Sequence, residues 1–270
     1  MSGRGGRLRE AGSQAECVPR APLANTPENR VENRETVIVT GASRGIGATV
    51  VRAFLDRGYR VVANSLGTVE EQFAPSANLA LVTGDIGKQA TAEKIAETAI
   101  STFGSIDHVV NSAGIFTAKP FTAYTAEDFR RFASTNLEGF IFITQLAVKQ
   151  MLKQGKGGSV TTITAALAEN PIAGVPASIP MITKGGLNAV TISLASEYAK
   201  QNIRFNAVAP GVVNTPMHEK DDRAHLQTLS PMGTISEAKD IADAVLYLTQ
   251  ARYVTGEVLH VDGGAHNGRW

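Results

Sequence analysis

From Glu35 onward, short β-branched or apolar runs alternate with longer stretches whose apolar side chains recur at three- and four-residue spacing. Thr36–Val39, Arg60–Ala63, Leu79–Thr83, His108–Val110, Ser159–Ile163, Arg204–Ala207 and Glu257–Val261 read as strands. They are apolar at nearly every position rather than every second one, the pattern of strands covered on both faces. Between them, Gly45–Asp56, Lys88–Phe103, Ala126–Lys153, Ile179–Lys200 and Glu237–Gln250 read as helices. In the fourth, Leu187, Val190, Leu194 and Tyr198 form one apolar stripe, which assigns Tyr198 to packing rather than chemistry. Such alternation predicts repeated βαβ units and an α/β fold: a doubly wound parallel sheet in three layers, α/β/α.

The stretch before this pattern differs. Residues 1–33 are rich in Gly, Arg, Pro, Ser and Asn with almost no periodic apolar positions, so ordering them would bury too little surface to offset the entropy lost. A disordered extension over 1–33 and a single domain over 34–270 are expected. Glu10, Glu16 and Glu28 interrupt the arginines Arg4, Arg7, Arg9, Arg20 and Arg30, and no signal-peptide core accompanies them, which argues against a transit peptide or a nucleic-acid arm. Elsewhere, 43% hydrophobic and 19% charged residues are globular composition. A net charge of +1 gives no field that would recruit nucleic acid or an anionic membrane. No apolar run reaches the roughly 18 residues of a membrane span. The single cysteine, Cys17, rules out an intramolecular disulfide or a cysteine metal cluster, so no metal is expected and a reducing cytoplasm fits.

Thr40-Gly41-Ala42-Ser43-Arg44-Gly45-Ile46-Gly47 directly follows the first strand and opens the first helix. Glycines in that position allow a tight turn and let backbone N–H groups at the positive end of the helix meet a pyrophosphate. The spacing is Gly-x-x-x-Gly-x-Gly, and with it the chain resembles the short-chain dehydrogenase/reductase family, in particular its 3-oxoacyl-acyl-carrier-protein reductase-like branch.

Further segments carry the resemblance from about Glu35 to Gly264. Asp85-Ile86 matches the acidic position that contacts adenine. Asn111-Ser112-Ala113-Gly114 is similar to the family's Asn-Asn-Ala-Gly segment, departing at Ser112. Pro210-Gly211-Val212-Val213-Asn214-Thr215 resembles the loop that meets the nicotinamide carboxamide through Val213 and Thr215, and Val261-Asp262-Gly263-Gly264 matches the closing strand and turn. The resemblance implies a Rossmann-type fold and a nicotinamide dinucleotide. An acidic residue ending the second strand would bind a ribose 2′-hydroxyl and repel a 2′-phosphate. Asn64 and Ser65 stand there instead, with Arg44 available to a phosphate, so NADP(H) is favoured and NAD(H) remains the alternative.

The catalytic half of the match is incomplete. The family protonates its substrate from a tyrosine activated by a lysine four residues later, binds the substrate oxygen with a serine, and supports the lysine with an asparagine through water. Asn136 and Lys184 match the asparagine and lysine. Pro180 stands at the tyrosine position, and no tyrosine occurs from Ser159 to Lys184; Ala165 stands at the serine position, with Thr164 a partial substitute. Pro180 also has a structural role, since the first turn of a helix leaves its N–H groups unpaired, and Ser178 is a candidate N-cap. Tyr124, His218, His225 and Glu169 are the other candidate acids, each of which also reads as an ordinary surface residue.

Three functions follow: an oxidoreductase on a small carbonyl or alcohol with a rearranged proton relay, a dinucleotide-binding sensor or partner subunit without turnover, and a non-redox enzyme using the same cleft. The first is preferred because the nicotinamide-facing framework is retained. The resemblance further implies a homodimer or homotetramer built on the helices Ala126–Lys153 and Ile179–Lys200, and a substrate lid over Met217 to Ser236.

Overall fold

A computed structural model describes residues 35–67 and 72–268; the extension expected over residues 1–33 lies outside them. The first strand, β1 (Thr36–Thr40), is buried at all five positions, and its side chains alternate between two separate cores. Val37 and Val39 enter one and Ile38 the other, as the two-residue period of a strand requires when helices cover both faces.

The remaining sheet strands are β2 (Arg60–Ser65), β3 (Leu79–Thr83), β4 (His108–Asn111), β5 (Gly158–Ile163), β6 (Ile203–Pro210) and, near the end of the chain, β9 (Val258–Val261). They join β1 in a seven-stranded sheet of order β3-β2-β1-β4-β5-β6-β9, and every pairing is parallel. Two strands of two residues, β7 (Val213–Asn214) and β8 (Ser236–Glu237), pair apart from this sheet. Helices α1 (Gly45–Leu55) and α7 (Ala238–Gln250) pack on one face. On the other lie α2 (Gln89–Phe103), α4 (Gly139–Gln154) and α5 (Ser178–Tyr198). Short helices α3 (Ala126–Phe132) and α6 (Arg223–Gln227) sit in the connections above the carboxyl edge of the sheet. This is the doubly wound three-layer Rossmann arrangement, and its strand order reverses between β1 and β4.

Two local readings change. The helix expected over Ala126–Lys153 is α3, a π-helical turn at Ala133–Glu138 and then α4. At the start of α5 the N-cap is Ala177, whose carbonyl accepts the Met181 N–H at 3.1 Å, so Ser178 is already inside the helix. Pro180 is then the third helical residue, where its missing N–H has no intrahelical acceptor to leave unpaired. Tyr198 packs beside Phe205, with ring centroids 5.9 Å apart, as the apolar stripe predicts.

Candidate active site

The crevice at the strand reversal is shaped by the glycine loop between β1 and α1. Gly41 sits at φ +70°, a conformation that favours glycine, and a Cβ at Gly47 would fall 2.2 Å from the Gly41 carbonyl oxygen. The Thr40 hydroxyl accepts the Ala113 N–H at 3.1 Å, tying the loop after β1 to the loop after β4. Arg44 is the N-cap of α1, and its exposed side chain makes no cap bond, so the first N–H groups of the helix have no side-chain acceptor.

At the end of β2 no carboxylate is present. The buried Asn64 amide donates to the Val82 and Gly84 carbonyls at 3.0 and 3.1 Å, which locks β2 to the end of β3. Ser65 is also buried, and Asp85 accepts the Gly87 N–H at 2.9 Å.

Lys184 projects from the first turns of α5, and its ammonium donates to the Ile163 carbonyl at 2.7 Å. It lies close against Gly114, where a Cβ would come within 3.1 Å of Nζ. Burial pushes its pKa down to about 8, because a poorly solvated cation is costly. Asn136 occupies the π-helical turn, a distortion common at functional sites. Its Oδ1 accepts the Ile115 N–H at 2.9 Å, and its amide donates to Thr183 Oγ1 at 2.9 Å. Asn111 donates to Thr144 Oγ1 at 3.1 Å. Both asparagines face a small cavity of about 10 Å³, room for about one water.

Where the family tyrosine and serine would stand, Pro180 is buried in the helix and Ala165 offers only a methyl group. Thr164 does not replace the serine: its hydroxyl is buried and donates to the Val208 carbonyl at 3.3 Å. Two candidate acids lie outside the cleft lining. Tyr124 donates its hydroxyl to the Thr117 carbonyl at 2.7 Å, and Glu169 accepts the Asn188 amide at 2.6 Å. His218 and His225 do line it. His218 Nδ1 lies 2.7 Å from Asp221 Oδ2, a pairing that reading the sequence missed although the i, i+3 spacing after Pro216 was its signal. Asn170 and Arg131, which also line the cleft, carry no such signal.

A single cleft of about 920 Å³ joins these parts, running from the glycine loop past Asp85 and Gly114 to Lys184, Thr215 and the segment 217–229. Of the candidate dinucleotide-binding residues and the matched Asn136 and Lys184, all but Asn111 and Asn136 line it, and of the other candidate acids only His218 and His225 do. The crowded glycine loop, the uncapped start of α1 and the lysine against Gly114 fit a dinucleotide: they leave backbone donors for phosphates and a cation for ribose hydroxyls.

Residues 41–266 match the family described as enoyl-(acyl carrier protein) reductase. The chain belongs to the short-chain dehydrogenase/reductase family, a class of NAD(P)-dependent oxidoreductases. It is 34% identical to the L-rhamnose 1-dehydrogenase (NAD(P)(+)) of Azotobacter vinelandii, over 85% of this chain and 96% of that one. Among solved structures it is similar to ElxO with NADP bound, at 27% identity and a TM-score of 0.80, covering 87% of this chain and 99% of that one. It is also similar to 3-ketoacyl-(acyl-carrier-protein) reductase from Brucella melitensis complexed with NADH, at 26% identity and a TM-score of 0.81, covering 86% and 98%.

Proposed function

We propose that residues 34–270 form one dinucleotide-binding domain that uses NADP(H), in preference to NAD(H), to interconvert a carbonyl compound and its alcohol without the family's tyrosine and serine. The observation that carries this reading is the continuous cleft from the glycine loop to Lys184 and Thr215, which leaves space for a substrate beyond the dinucleotide. When bound, the nicotinamide supplies or takes the hydride. In this reading Lys184 binds ribose hydroxyls, Val213 and Thr215 orient the carboxamide, and Asn136 holds the loop after β4 through Ile115. The preference for NADP(H) rests on a strand end without a carboxylate and on the exposed Arg44 bordering the cleft.

The test is calorimetric titration of NADPH and NADH, followed in the same sample by the absorbance decay of the reduced dinucleotide with a panel of ketones, 3-oxoacyl thioesters and quinones. NADPH binding with substrate-dependent decay is expected, and Arg44→Ala should weaken NADPH by about tenfold or more while leaving NADH nearly unchanged. Binding without decay across the panel would support the second reading, a sensor or partner subunit, which Pro180 and Ala165 favour by removing two hydroxyls from the reaction centre.

The proposal extends to a cytoplasmic homodimer or homotetramer associating through α4 and α5, whose outer faces expose Ile141, Leu152, Ile182 and Ile192. Elution as a monomer with light-scattering detection would refute it.

A further inference from the structure

Reducing a carbonyl requires an acid for its oxygen, and among the described residues lining the cleft none is a tyrosine. What the cleft holds at the end beyond Thr215 is an imidazole fixed by a carboxylate. His218 and Asp221 both line it together with Lys184, Ala165 and Thr215, and Nδ1 of the histidine lies 2.7 Å from the aspartate oxygen. A single run of turns places the pair: the His218 N–H donates to the Thr215 carbonyl at 3.0 Å, and the Asp221 N–H to the His218 carbonyl at 3.1 Å. The imidazole is thereby tied to the loop assigned to the carboxamide. Its side chain is 22% exposed, accessible to a ligand yet partly withdrawn from water. A carboxylate on Nδ1 selects the Nδ1–H tautomer and leaves Nε2 for another partner.

We propose that His218 is the acid–base residue of this site, that Asp221 is its positioning residue, and that the substrate is a ketone, or the matching secondary alcohol, with an apolar body. The assignment rests on the oxidoreductase reading above. The apolar body follows from Ile172, Val175, Pro176, Leu226 and Leu229, which line the cleft with the pair. In the reductive direction the carbonyl carbon gains a hydride from the bound NADPH, and the C=O π pair moves to oxygen. That oxygen takes the proton from Nε2 of protonated His218, so an O–H bond forms as an N–H bond breaks. The products are the alcohol, NADP⁺ and neutral His218, which recovers its proton from water. Lys184, held to the Ile163 carbonyl, and His225, Asp221 and Arg131 are the other ionisable side chains lining this part of the cleft.

Two measurements test the assignment. In long-range proton–nitrogen NMR spectra of the apo protein, neutral His218 should be the Nδ1–H tautomer, and Asp221→Asn should abolish that preference; an Nε2–H tautomer in the wild type overturns the proposal. In NADPH-dependent reduction of the ketone panel, His218→Asn should lower kcat by about 100-fold or more with NADPH affinity unchanged. Tyr124→Phe, outside the cleft, should keep the wild-type rate. If His218→Asn stays within threefold of the wild type, the assignment fails while the oxidoreductase reading stands. If the wild type binds NADPH and reduces no ketone, the oxidoreductase reading fails and the assignment falls with it.

Discussion

Gly41 and Ala113 approach so closely that a Cβ on the glycine would lie 2.7 Å from the alanine Cα. The loops after β1 and β4 therefore meet backbone to backbone, which places the dinucleotide crevice at the strand reversal. Gly41→Ala is expected to destabilise the protein by about 2–4 kcal/mol, combining a positive φ with an unrelievable backbone contact. It should also abolish NADPH binding. Urea denaturation and calorimetry check the two effects.

Lys184 makes stability depend on alkaline pH. Burial lowers its pKa from 10.5 to about 8, so the folded chain releases this proton before the unfolded chain does. Between those values the unfolded state binds more protons, and stability of the apo protein rises with pH across that window. As pH falls through 8 the gain disappears. Lys184→Met should remove this contribution to the slope and raise stability near neutrality while weakening dinucleotide binding. Urea unfolding at pH 7.5 and pH 10 measures both variants.

Asp107 makes the opposite end of the sheet sensitive to acid. Burial raises the pKa of its carboxyl, but hydrogen bonds from Lys156, Ser105 and the Thr36 N–H, with the Lys156 charge, outweigh that and hold it below 3.8. A lowered carboxylate contributes stability that is complete above that ordinary value and is lost as pH falls through the folded one. Asp107→Asn should cost about 2–3 kcal/mol at neutral pH, since it weakens charge-assisted bonds at 2.6 to 2.8 Å. The difference from wild type should shrink in denaturation at the acid end of the range.

Restoring the family's hydroxyls tests why two are absent. Pro180→Tyr alone should leave the rate of reduction within about threefold of wild type, because Ala165 still offers no donor to orient the substrate oxygen. With Ala165→Ser added, the rate should rise at least about tenfold, and His218→Asn should then cost less than in the wild-type background. Steady-state kinetics on one ketone of the wild type, Pro180→Tyr, the Pro180→Tyr and Ala165→Ser double variant, and His218→Asn in the wild-type and double-variant backgrounds decides it.

The strands and long helices were legible because two-sided burial leaves nearly unbroken apolar runs, and because each helix carries its own stripe, as from Leu187 to Tyr198. The π-helical turn at Ala133–Glu138 was not, since one additional residue per turn hardly disturbs the hydrophobic period over so short a span. The pairing of β7 with β8 joins two-residue segments that carry no periodicity. The glycine loop, singled out by its spacing, and Lys184 and the loop ending at Thr215, singled out by the family resemblance, all line the one cleft. The engagement of the Thr164 hydroxyl was not, because its acceptor belongs to Val208 on the neighbouring strand. His218 was singled out without its partner, and Tyr124 and Glu169 were singled out although the fold turns them to other partners.

The Asn64 amide, donating to both Val82 and Gly84, bears on any redesign of dinucleotide preference. An aspartate there would set a carboxylate against two carbonyl oxygens inside the sheet, harming the scaffold before it could discriminate between ligands. The adjustable positions are instead Ser65, next along the strand, and Arg44 in the glycine loop, both of which line the cleft. Asn64 thus divides this strand end into a fixed anchor and an editable rim, so that selectivity can change here without refolding the edge that carries it.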